Sequence, residues 1–180
     1  MSTTRHNIVL IGFMGCGKTS VGRLVAQRLG FQFVDTDALI VERAGLPIAE
    51  IFSRQGEAAF RNMETAALRS LGILQRSVVS TGGGIVLREE NRALLRDLGF
   101  VAWLTASEEI LFERVSRTKK RPLLHTADPR TTFHELLEQR RPLYEGAAQF
   151  TLDSSGLTHE AAADAVIAEA RRAFSWQTVA

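Results

Sequence analysis

A lysine and a threonine close a glycine-rich stretch near the start of the chain, in the pattern Gly12-x-x-x-x-Gly17-Lys18-Thr19. Glycines let the backbone wrap around an anion so that successive N–H groups point at phosphate oxygens. A lysine at the end of such a loop can reach the β- and γ-phosphates of a nucleoside triphosphate, and a threonine hydroxyl there can ligate Mg²⁺. The spacing therefore predicts a loop that binds a nucleoside triphosphate.

The segments on either side of this loop have the patterns of a strand and a helix, which is the context that the loop requires. Residues 7–13 form a short apolar run, and residues 18–30 place apolar side chains on one helical face and end on Gly30. A glycine-rich turn without a ligand is the alternative, and this context disfavours it. Cys16 lies inside the loop with no histidine near it in sequence, so we interpret it as a small filler rather than a nucleophile.

Further apolar runs alternate with helical patterns along the chain, which predicts an α/β fold with a parallel sheet covered by helices on both faces. Predicted strands cover residues 31–37, 77–84, 100–105 and 148–155, and predicted helices cover 38–44, 47–54, 56–72, 88–99 and 158–173. A further predicted helix is capped by Ser107 and runs to about residue 117. Two longer segments interrupt the alternation, namely the one between the second and third strands and the polar, basic stretch 116–130. Insertions at the carboxyl ends of parallel strands are where such proteins bind ligands.

The loop alone leaves open whether the protein is a motor, a GTPase, a nucleotide kinase or a small-molecule kinase. Asp35 and Asp37 end the second predicted strand, and the two-residue period of a strand places both carboxylates on one face. One carboxylate near Mg²⁺ and one near an acceptor hydroxyl would suit phosphoryl transfer. The alternative is that both aspartates only cap the following helix.

Glycines and arginines further along the chain are candidates for contacts with an acceptor. Residues 80–84 read STGGG, and three consecutive glycines predict a ligand that lies directly against the backbone. Arg61 lies on the predicted helix 56–72, but the periodicity leaves open whether its side chain is solvated. The same question is open for the side chain of Arg140. Arg121 lies in the basic stretch, which we interpret as a mobile lid that could neutralise charge on the transferred phosphoryl group. A disordered basic loop is the alternative there.

Composition excludes several other classes of protein. The chain has 180 residues, 45% of them hydrophobic, and a formal net charge of +2, which is typical of one globular domain. Its 22 basic residues are dispersed, so no nucleic-acid partner is expected. No apolar run is long enough to span a membrane, the first residues lack the apolar core of a signal peptide, and the single cysteine excludes an internal disulfide. We expect a cytoplasmic protein with no membrane partner.

The motifs occur together in an order that resembles the shikimate kinase family. They are GFMGCGKTSVG, DTD, FR followed by Glu64, STGGG, RPLL and RRPLY, and the resemblance covers about residues 7–174. It implies a P-loop NTPase fold of the nucleoside-monophosphate-kinase type, with a five-stranded parallel sheet of order 2-3-1-4-5 flanked by helices. It also implies a single kinase domain over residues 1–180, with a substrate-binding segment at about 35–63 and a lid at about 114–127.

The resemblance implies transfer of the γ-phosphoryl group of ATP to the 3-hydroxyl of shikimate, which gives shikimate 3-phosphate in the pathway to chorismate and the aromatic amino acids. The partners would be shikimate and ATP with Mg²⁺, and the protein would act as a monomer. A gluconokinase is the alternative among enzymes, because its acceptor is also a polyhydroxy acid. A nucleotide-binding module that has lost catalysis is the alternative outside enzymes, and the presence of Lys18, Asp37 and Arg61 argues against it.

The resemblance also implies a role for each matching residue. Catalysis would depend on Asp37, which holds the ring hydroxyls and is the candidate base, and on Lys18 and Arg121. Mg²⁺ would be held by Thr19 directly and by Asp35 through water. The ATP site would comprise Gly15, Cys16, Gly17, Lys18, Thr19 and Ser20, with Arg117 against adenine and Arg121 bridging the phosphates. Shikimate would contact Asp37, Arg61, Gly82, Gly83, Gly84 and Arg140, and the two arginines would grip its carboxylate.

Overall fold

The computed structural model describes residues 6–117 and 126–174, which form a five-stranded sheet packed against helices. The strands are β1 (Ile8–Ile11), β2 (Gln32–Asp35), β3 (Ser77–Ser80), β4 (Phe100–Thr105) and β5 (Phe150–Asp153). The helices are α1 (Lys18–Leu29), α2 (Thr36–Ala44), α3 (Ile48–Ser70), α4 (Glu89–Leu98), α5 (Glu108–Ser116), α6 (Pro129–Ala147) and α7 (His159–Ala173), with short 3₁₀ turns at Leu71–Ile73 and Ile85–Leu87. None of the described helices is long and apolar enough to cross a membrane.

The sheet has the strand order β2-β3-β1-β4-β5, and every neighbouring pair is parallel, which confirms the predicted fold class and order. β1 lies at the centre, with Ile8 aligned to Val78 of β3 and to Phe100 of β4. All four residues of β1 are buried, as expected for a parallel strand covered on both faces. Because the strands are parallel, the loops that follow them meet at one edge of the sheet, and this edge carries the predicted site.

Helix α3 changes direction at Gly56, whose φ of 82° and ψ of 170° lie outside the helical region. The chain therefore forms two helical segments here, as the patterns at 47–54 and 56–72 predict. Both segments pack with α2 around a small apolar cluster that is separate from the main core. The buried members of this cluster are Ile40, Ile51, Phe60 and Ala67. The second segment carries Arg61 to the edge of the sheet where β1 and β3 end.

Helix α6 is a correction to the sequence analysis, which predicted no helix between residue 117 and the fifth strand. The helix begins at Pro129, and Asp128 caps it by accepting a hydrogen bond from the backbone N–H of Thr131 at 3.1 Å. Its core-facing residues include Phe133, Leu137 and Tyr144. Pro142 and the charged residues around it hide this apolar face in the sequence, although tertiary packing supports the helix.

The predicted lid falls largely outside the described residues. Helix α5 continues to Ser116, close to the predicted end, and Ser107 caps it as expected, with its hydroxyl accepting from the N–H of Ile110 at 3.4 Å. Residues 118–125 are not described, and Arg121 is among them. The assignment of a lid to residues 114–127 therefore stays a prediction.

Candidate active site

The glycine-rich loop connects β1 to α1 at the carboxyl edge of the sheet. Gly12, Gly15 and Gly17 have φ values of 148°, 84° and 90°, a region that residues with side chains rarely adopt. The surroundings exclude a side chain as well, because a Cβ on Gly12 would lie 2.2 Å from the carbonyl oxygen of Leu104. The loop leads directly into the N-terminus of α1, where free amide groups and the helix dipole favour an anion.

Lys18 is the first residue of α1, and its side chain folds back over the loop. Its Nζ donates hydrogen bonds to the carbonyl oxygens of Gly12 at 2.7 Å and Phe13 at 3.0 Å. The Sγ of Cys16 lies 3.5 Å from the same nitrogen, and Cys16 is buried. The lysine charge is thus held where phosphates would bind, and the surroundings of Cys16 agree with its interpretation as a small filler.

Three oxygen-bearing side chains meet where α1 begins. Thr19 Oγ1 donates to Asp35 Oδ2 at 3.1 Å and lies 3.4 Å from the Ser80 hydroxyl at the end of β3. Mg²⁺ bound to a nucleotide keeps several waters and takes one or two protein ligands together with phosphate oxygens, so this set fits it. Within the described residues, no group of three or more His, Cys, Asp or Glu side chains could form a metal cage. A metal that arrives with the nucleotide would find oxygen donors of the kind it prefers in Thr19 and Asp35.

The two aspartates do not lie on one strand, and this part of the sequence analysis was wrong. β2 ends at Asp35 and α2 begins at Thr36, so the two-residue period of a strand does not extend to Asp37. Asp35 caps α2, because its Oδ1 accepts from the backbone N–H groups of Asp37 at 3.0 Å and Ala38 at 3.3 Å. Capping and the contact with Thr19 thus use different oxygens of the Asp35 carboxylate, and the role of Asp35 at Mg²⁺ stays a prediction.

One cavity of about 260 Å³ extends from the glycine-rich loop to the acceptor side, and both aspartates line it. Its other lining residues are Met14, Gly15, Gly17, Lys18, Thr19, Ser20, Thr81, Gly82 and Gly83. Three predicted contacts of shikimate, Arg61, Gly84 and Arg140, are not part of this lining. Arg117 is also absent from it, because its side chain pairs with Glu113 on α5 and is 74% exposed.

The glycine row, Gly82 to Gly84, leaves room for two functional side chains. A Cβ on Gly82 would lie 2.5 Å from Asp37 Oδ1, and a Cβ on Gly84 would lie 2.1 Å from Arg61 Nη1. At Gly83 the nearest atom would be 3.5 Å away, which is an ordinary contact. A side chain at Gly82 or Gly84 would therefore displace Asp37 or Arg61 from the position observed here, a reason for these glycines that was not predicted from the sequence.

Arg61 is buried behind the glycine row, with only 7% of its surface exposed. Its Nη1 donates to Glu64 Oε2 at 2.8 Å, while its Nη2 and Nε both donate to Glu57 Oε1, at 2.7 and 3.2 Å. Burial opposes the charge of Arg61, but the attraction and hydrogen bonds of Glu64 and Glu57 outweigh it, so the pKa of Arg61 is raised. The solvated alternative for this arginine is excluded.

Glu64 is a site residue to which the sequence analysis gave no role. It follows Arg61 by three residues on α3, a spacing that puts both side chains on the same side of a helix and could have identified it. Its side chain is 1% exposed, and its Oε1 has no hydrogen-bond partner among the described residues. Burial raises the pKa of Glu64, Arg61 opposes the rise, and the charge of Asp37 adds to it.

Arg140 reaches the same buried wall from α6 and is 3% exposed. Its guanidinium carbon lies 5.5 Å from the centre of the Phe13 ring, within the range of a cation–π contact. Its Nε is buried with no hydrogen-bond partner among the described residues. Tyr144, one turn further along α6, donates to the carbonyl oxygen of Gly83, and burial raises the pKa of its hydroxyl. A buried arginine with an unsatisfied donor beside the glycine row is suited to an anionic ligand.

Helix α7 brings one further side chain to the loop. His159 is the first residue of α7, and its Nε2 lies 3.4 Å from the position that a Cβ on Gly17 would occupy. No residue after the fifth strand is predicted for the site from the sequence. The proximity depends on the packing of α7 against α1, which no local pattern reports.

The parallel sheet of order 2-3-1-4-5, with the glycine-rich loop after its central strand, is the P-loop NTPase fold of the nucleoside-monophosphate-kinase type. Comparison with known proteins is more specific. The family model for shikimate kinase matches residues 14–171, and the chain belongs to the shikimate kinase family. The family that the motifs indicate is thereby confirmed.

Individual relatives agree with the family model. A shikimate kinase from Thermodesulfovibrio yellowstonii is 48% identical over 172 residues, which cover 96% of this chain and 99% of the relative. The structure of shikimate kinase from Acinetobacter baumannii in complex with shikimate matches with a TM-score of 0.88 and 36% identity, over 96% of this chain and 94% of that one. A gluconokinase from Sinorhizobium meliloti matches with a TM-score of 0.57 and 21% identity, over 96% of this chain and 97% of that one, which shows a shared fold alone.

Proposed function

We propose that this protein transfers the γ-phosphoryl group of ATP to the 3-hydroxyl of shikimate, giving ADP and shikimate 3-phosphate. The observation that carries the proposal is the buried position of Arg61 and Arg140 beside the glycine row, next to Asp37. Arg140 has a buried Nε with no hydrogen-bond partner among the described residues, and such a donor favours an anionic ligand. Shikimate offers one carboxylate for the arginines and three hydroxyls for an aspartate, so its chemistry matches both kinds of group.

The nucleotide would bind at the loop and the N-terminus of α1. The backbone amides from Gly15 to Thr19 would surround the phosphates, and Lys18 Nζ would exchange its carbonyl partners for phosphate oxygens. Thr19 would hold Mg²⁺ directly and Asp35 through water, and the bound metal would neutralise phosphate charge. Ser80 lies close enough to Thr19 to help orient its hydroxyl.

Two arginines near the predicted lid complete the proposed nucleotide site. Arg121, which lies outside the described residues, would bridge the phosphates. Arg117 would lie against adenine, and to reach it the side chain would leave its exposed partner Glu113. An exposed ion pair of this kind is worth less than about 1 kcal/mol, so the exchange costs little.

Asp37 would orient the acceptor hydroxyl and accept its proton. Its carboxylate lines the cavity and lies against Gly82, between the phosphate loop and the buried arginines. The transition state of phosphoryl transfer is loose and needs little help from a base. Alignment of the hydroxyl with the γ-phosphate would therefore be the larger part of the contribution of Asp37.

An assay of ADP release, with shikimate and gluconate side by side, tests this proposal. We expect Mg²⁺-dependent turnover of shikimate that stops when the metal is chelated, and a kcat/KM for gluconate that is lower by about 10²-fold or more. Phosphorus NMR of the product would locate the new phosphate on the 3-oxygen. Preferential turnover of gluconate, or a phosphate on another oxygen, would contradict the proposal.

The variant Arg61→Ala tests the assignment of the carboxylate site. Loss of one or two charge-assisted hydrogen bonds, each worth about 1.5–3 kcal/mol, should raise the KM for shikimate by roughly 10- to 100-fold or more. The KM for ATP should change far less, because Arg61 is not among the residues that line the cavity at the phosphate loop. Equal changes in both KM values would refute the assigned role.

We also infer that the chain is a single kinase domain, in which residues 35–63 bind the acceptor and residues 114–127 form the lid. The small core shared by α2 and α3 supports the first assignment, because it holds this segment together apart from the main core. Limited proteolysis tests the second: ATP should protect bonds within residues 118–125, and equal cleavage with and without ATP would argue against a lid. Light scattering during size-exclusion chromatography would test the expected monomer.

A further inference from the structure

Arg61, the arginine that would bind the substrate carboxylate, already holds two carboxylates. Glu64 bonds Nη1, while a single oxygen of Glu57 accepts from both Nη2 and Nε. Three of the five N–H groups of the guanidinium are thus engaged within the protein. A substrate carboxylate has to share Arg61 with these residues or replace one of them.

The two glutamates differ in how easily they could move. The Glu64 side chain is 1% exposed, whereas that of Glu57 is 54% exposed. Glu57 also follows directly on Gly56, where the backbone leaves the helical region. Burial fixes Glu64 in place, whereas Glu57 can release Arg61 and have its carboxylate hydrated with little rearrangement.

The local charges also disfavour three carboxylates around Arg61. Asp37 and Arg140 both act electrostatically on Glu64, so three acids and two arginines already share this region. Adding the anionic substrate while Glu57 stays would give four negative groups against two positive ones. Movement of Glu57 into solvent would remove one negative charge as the substrate brings another.

We propose that Glu57 competes with the substrate carboxylate for Arg61, and that its displacement is part of substrate binding. The inference rests on the proposed function, because it takes Arg61 as the carboxylate site. Glu57 then lowers the affinity for shikimate and selects against acceptors that lack a carboxylate, since only an anion can replace it on Arg61. It also keeps the buried guanidinium paired and oriented before the substrate arrives.

The variant Glu57→Gln tests the inference, because it removes the charge and keeps the size of the side chain. We expect the KM for shikimate, and the dissociation constant measured by calorimetry without ATP, to fall by about three- to fivefold, at the upper end of the range for a partly exposed ion pair. The kcat and the KM for ATP should stay within about twofold, because the competition ends once the substrate is bound. Thermal unfolding would establish that the variant is folded.

Glu169→Gln is the matched control. Glu169 pairs with Arg172 three residues further along α7, and neither residue belongs to the acceptor-binding segment or to the nucleotide site. This variant should leave every kinetic constant unchanged. A second control combines Glu57→Gln with Arg61→Ala, where removal of the glutamate charge should no longer tighten shikimate binding.

The outcomes separate this inference from the proposed function. An unchanged or raised KM for shikimate in Glu57→Gln, with wild-type turnover intact and Arg61→Ala impaired, would overturn the competition and leave the function standing. Failure of the wild-type protein to phosphorylate shikimate would instead overturn the proposed function. A tighter KM in Glu57→Gln that persists without Arg61 would also overturn the inference, because the glutamate would then act elsewhere.

Discussion

Substitution of Gly84 by alanine would show whether the glycine row exists to admit Arg61. The backbone of Gly84, at φ −92° and ψ −1°, is open to any residue, so Gly84→Ala introduces no backbone strain. The new Cβ would, however, lie 2.1 Å from Arg61 Nη1 and 2.6 Å from its guanidinium carbon. An ordinary contact begins near 3.4 Å, so the guanidinium must withdraw by more than 1 Å.

The cost of this displacement follows from the contacts that it breaks. A shift of that size breaks the Arg61–Glu64 hydrogen bond, which measures 2.8 Å. The same shift moves the guanidinium group away from the position in which it would bind the substrate carboxylate. Loss of one or two charge-assisted hydrogen bonds to the substrate, at about 1.5–3 kcal/mol each, predicts a rise in the KM for shikimate of roughly 10- to 100-fold or more. The end of a long side chain can move without unfolding the protein, so the melting temperature should fall only slightly.

Steady-state kinetics with each substrate varied in turn would measure this effect. The KM for ATP should be nearly unchanged, because Gly84 does not line the cavity at the phosphate loop. Gly146→Ala on α6 is the matched control, because nothing lies within 4 Å of the added methyl group there. A normal KM for shikimate in Gly84→Ala would refute the conclusion that Arg61 needs this space.

Three further variants test other parts of the site. Asp37→Asn should lower kcat by about 10²-fold if its carboxylate accepts the proton, and a near-normal kcat in single-turnover experiments would leave it only an orienting role. Asp35→Asn should raise the Mg²⁺ concentration needed for half-maximal activity, and a Mg²⁺ titration with an unchanged midpoint would contradict the metal role. Burial raises the pKa of Glu64, so the carboxyl group of Glu64 binds a proton more tightly in the folded protein than in the unfolded chain. The contribution of Glu64 to the free energy of unfolding therefore falls as pH rises above 4.5. Urea unfolding should therefore find Glu64→Gln less destabilising, relative to wild type, at pH 7 than at pH 4; the opposite trend would contradict the pKa shift.

The sequence predicted the elements that short patterns encode and missed those that depend on packing. The strand β4 was predicted with its observed bounds, because a run of apolar residues is bounded by Gly99 and a capping serine, Ser107. Helix α6 was not predicted, because Pro142 and its charged neighbours interrupt the periodic pattern. Packing against the core, which buries Phe133 and Leu137, supports the helix in spite of that local signal.

The candidate site likewise contains residues that local patterns identify and residues whose positions depend on packing. The glycine-rich loop with Lys18 and Thr19 was identified from local spacing alone, because a phosphate loop is built from consecutive residues. The positions of Arg61 and Arg140 stayed open in the sequence, since a helical arginine is usually solvated and periodicity cannot show which helix covers it. The sequence pattern predicted Asp37 on the second strand, whereas Asp37 lies on α2. The strand ends at Asp35, because the carboxylate of Asp35 caps that helix.

The sequence by itself determined that this chain forms a parallel α/β fold with a phosphate-binding loop, and its motifs identified the family. Only the tertiary structure decided that two arginines from separate helices are buried at one wall of the site. It also decided that Gly82 and Gly84 make room for the side chains of Asp37 and Arg61. The ion pairs of Arg61 with Glu57 and Glu64 are likewise visible only there. The physical reason is that a loop for phosphate needs only local backbone geometry. Burial and pairing of a charge are set by every element packed around it, and those elements are distant in sequence.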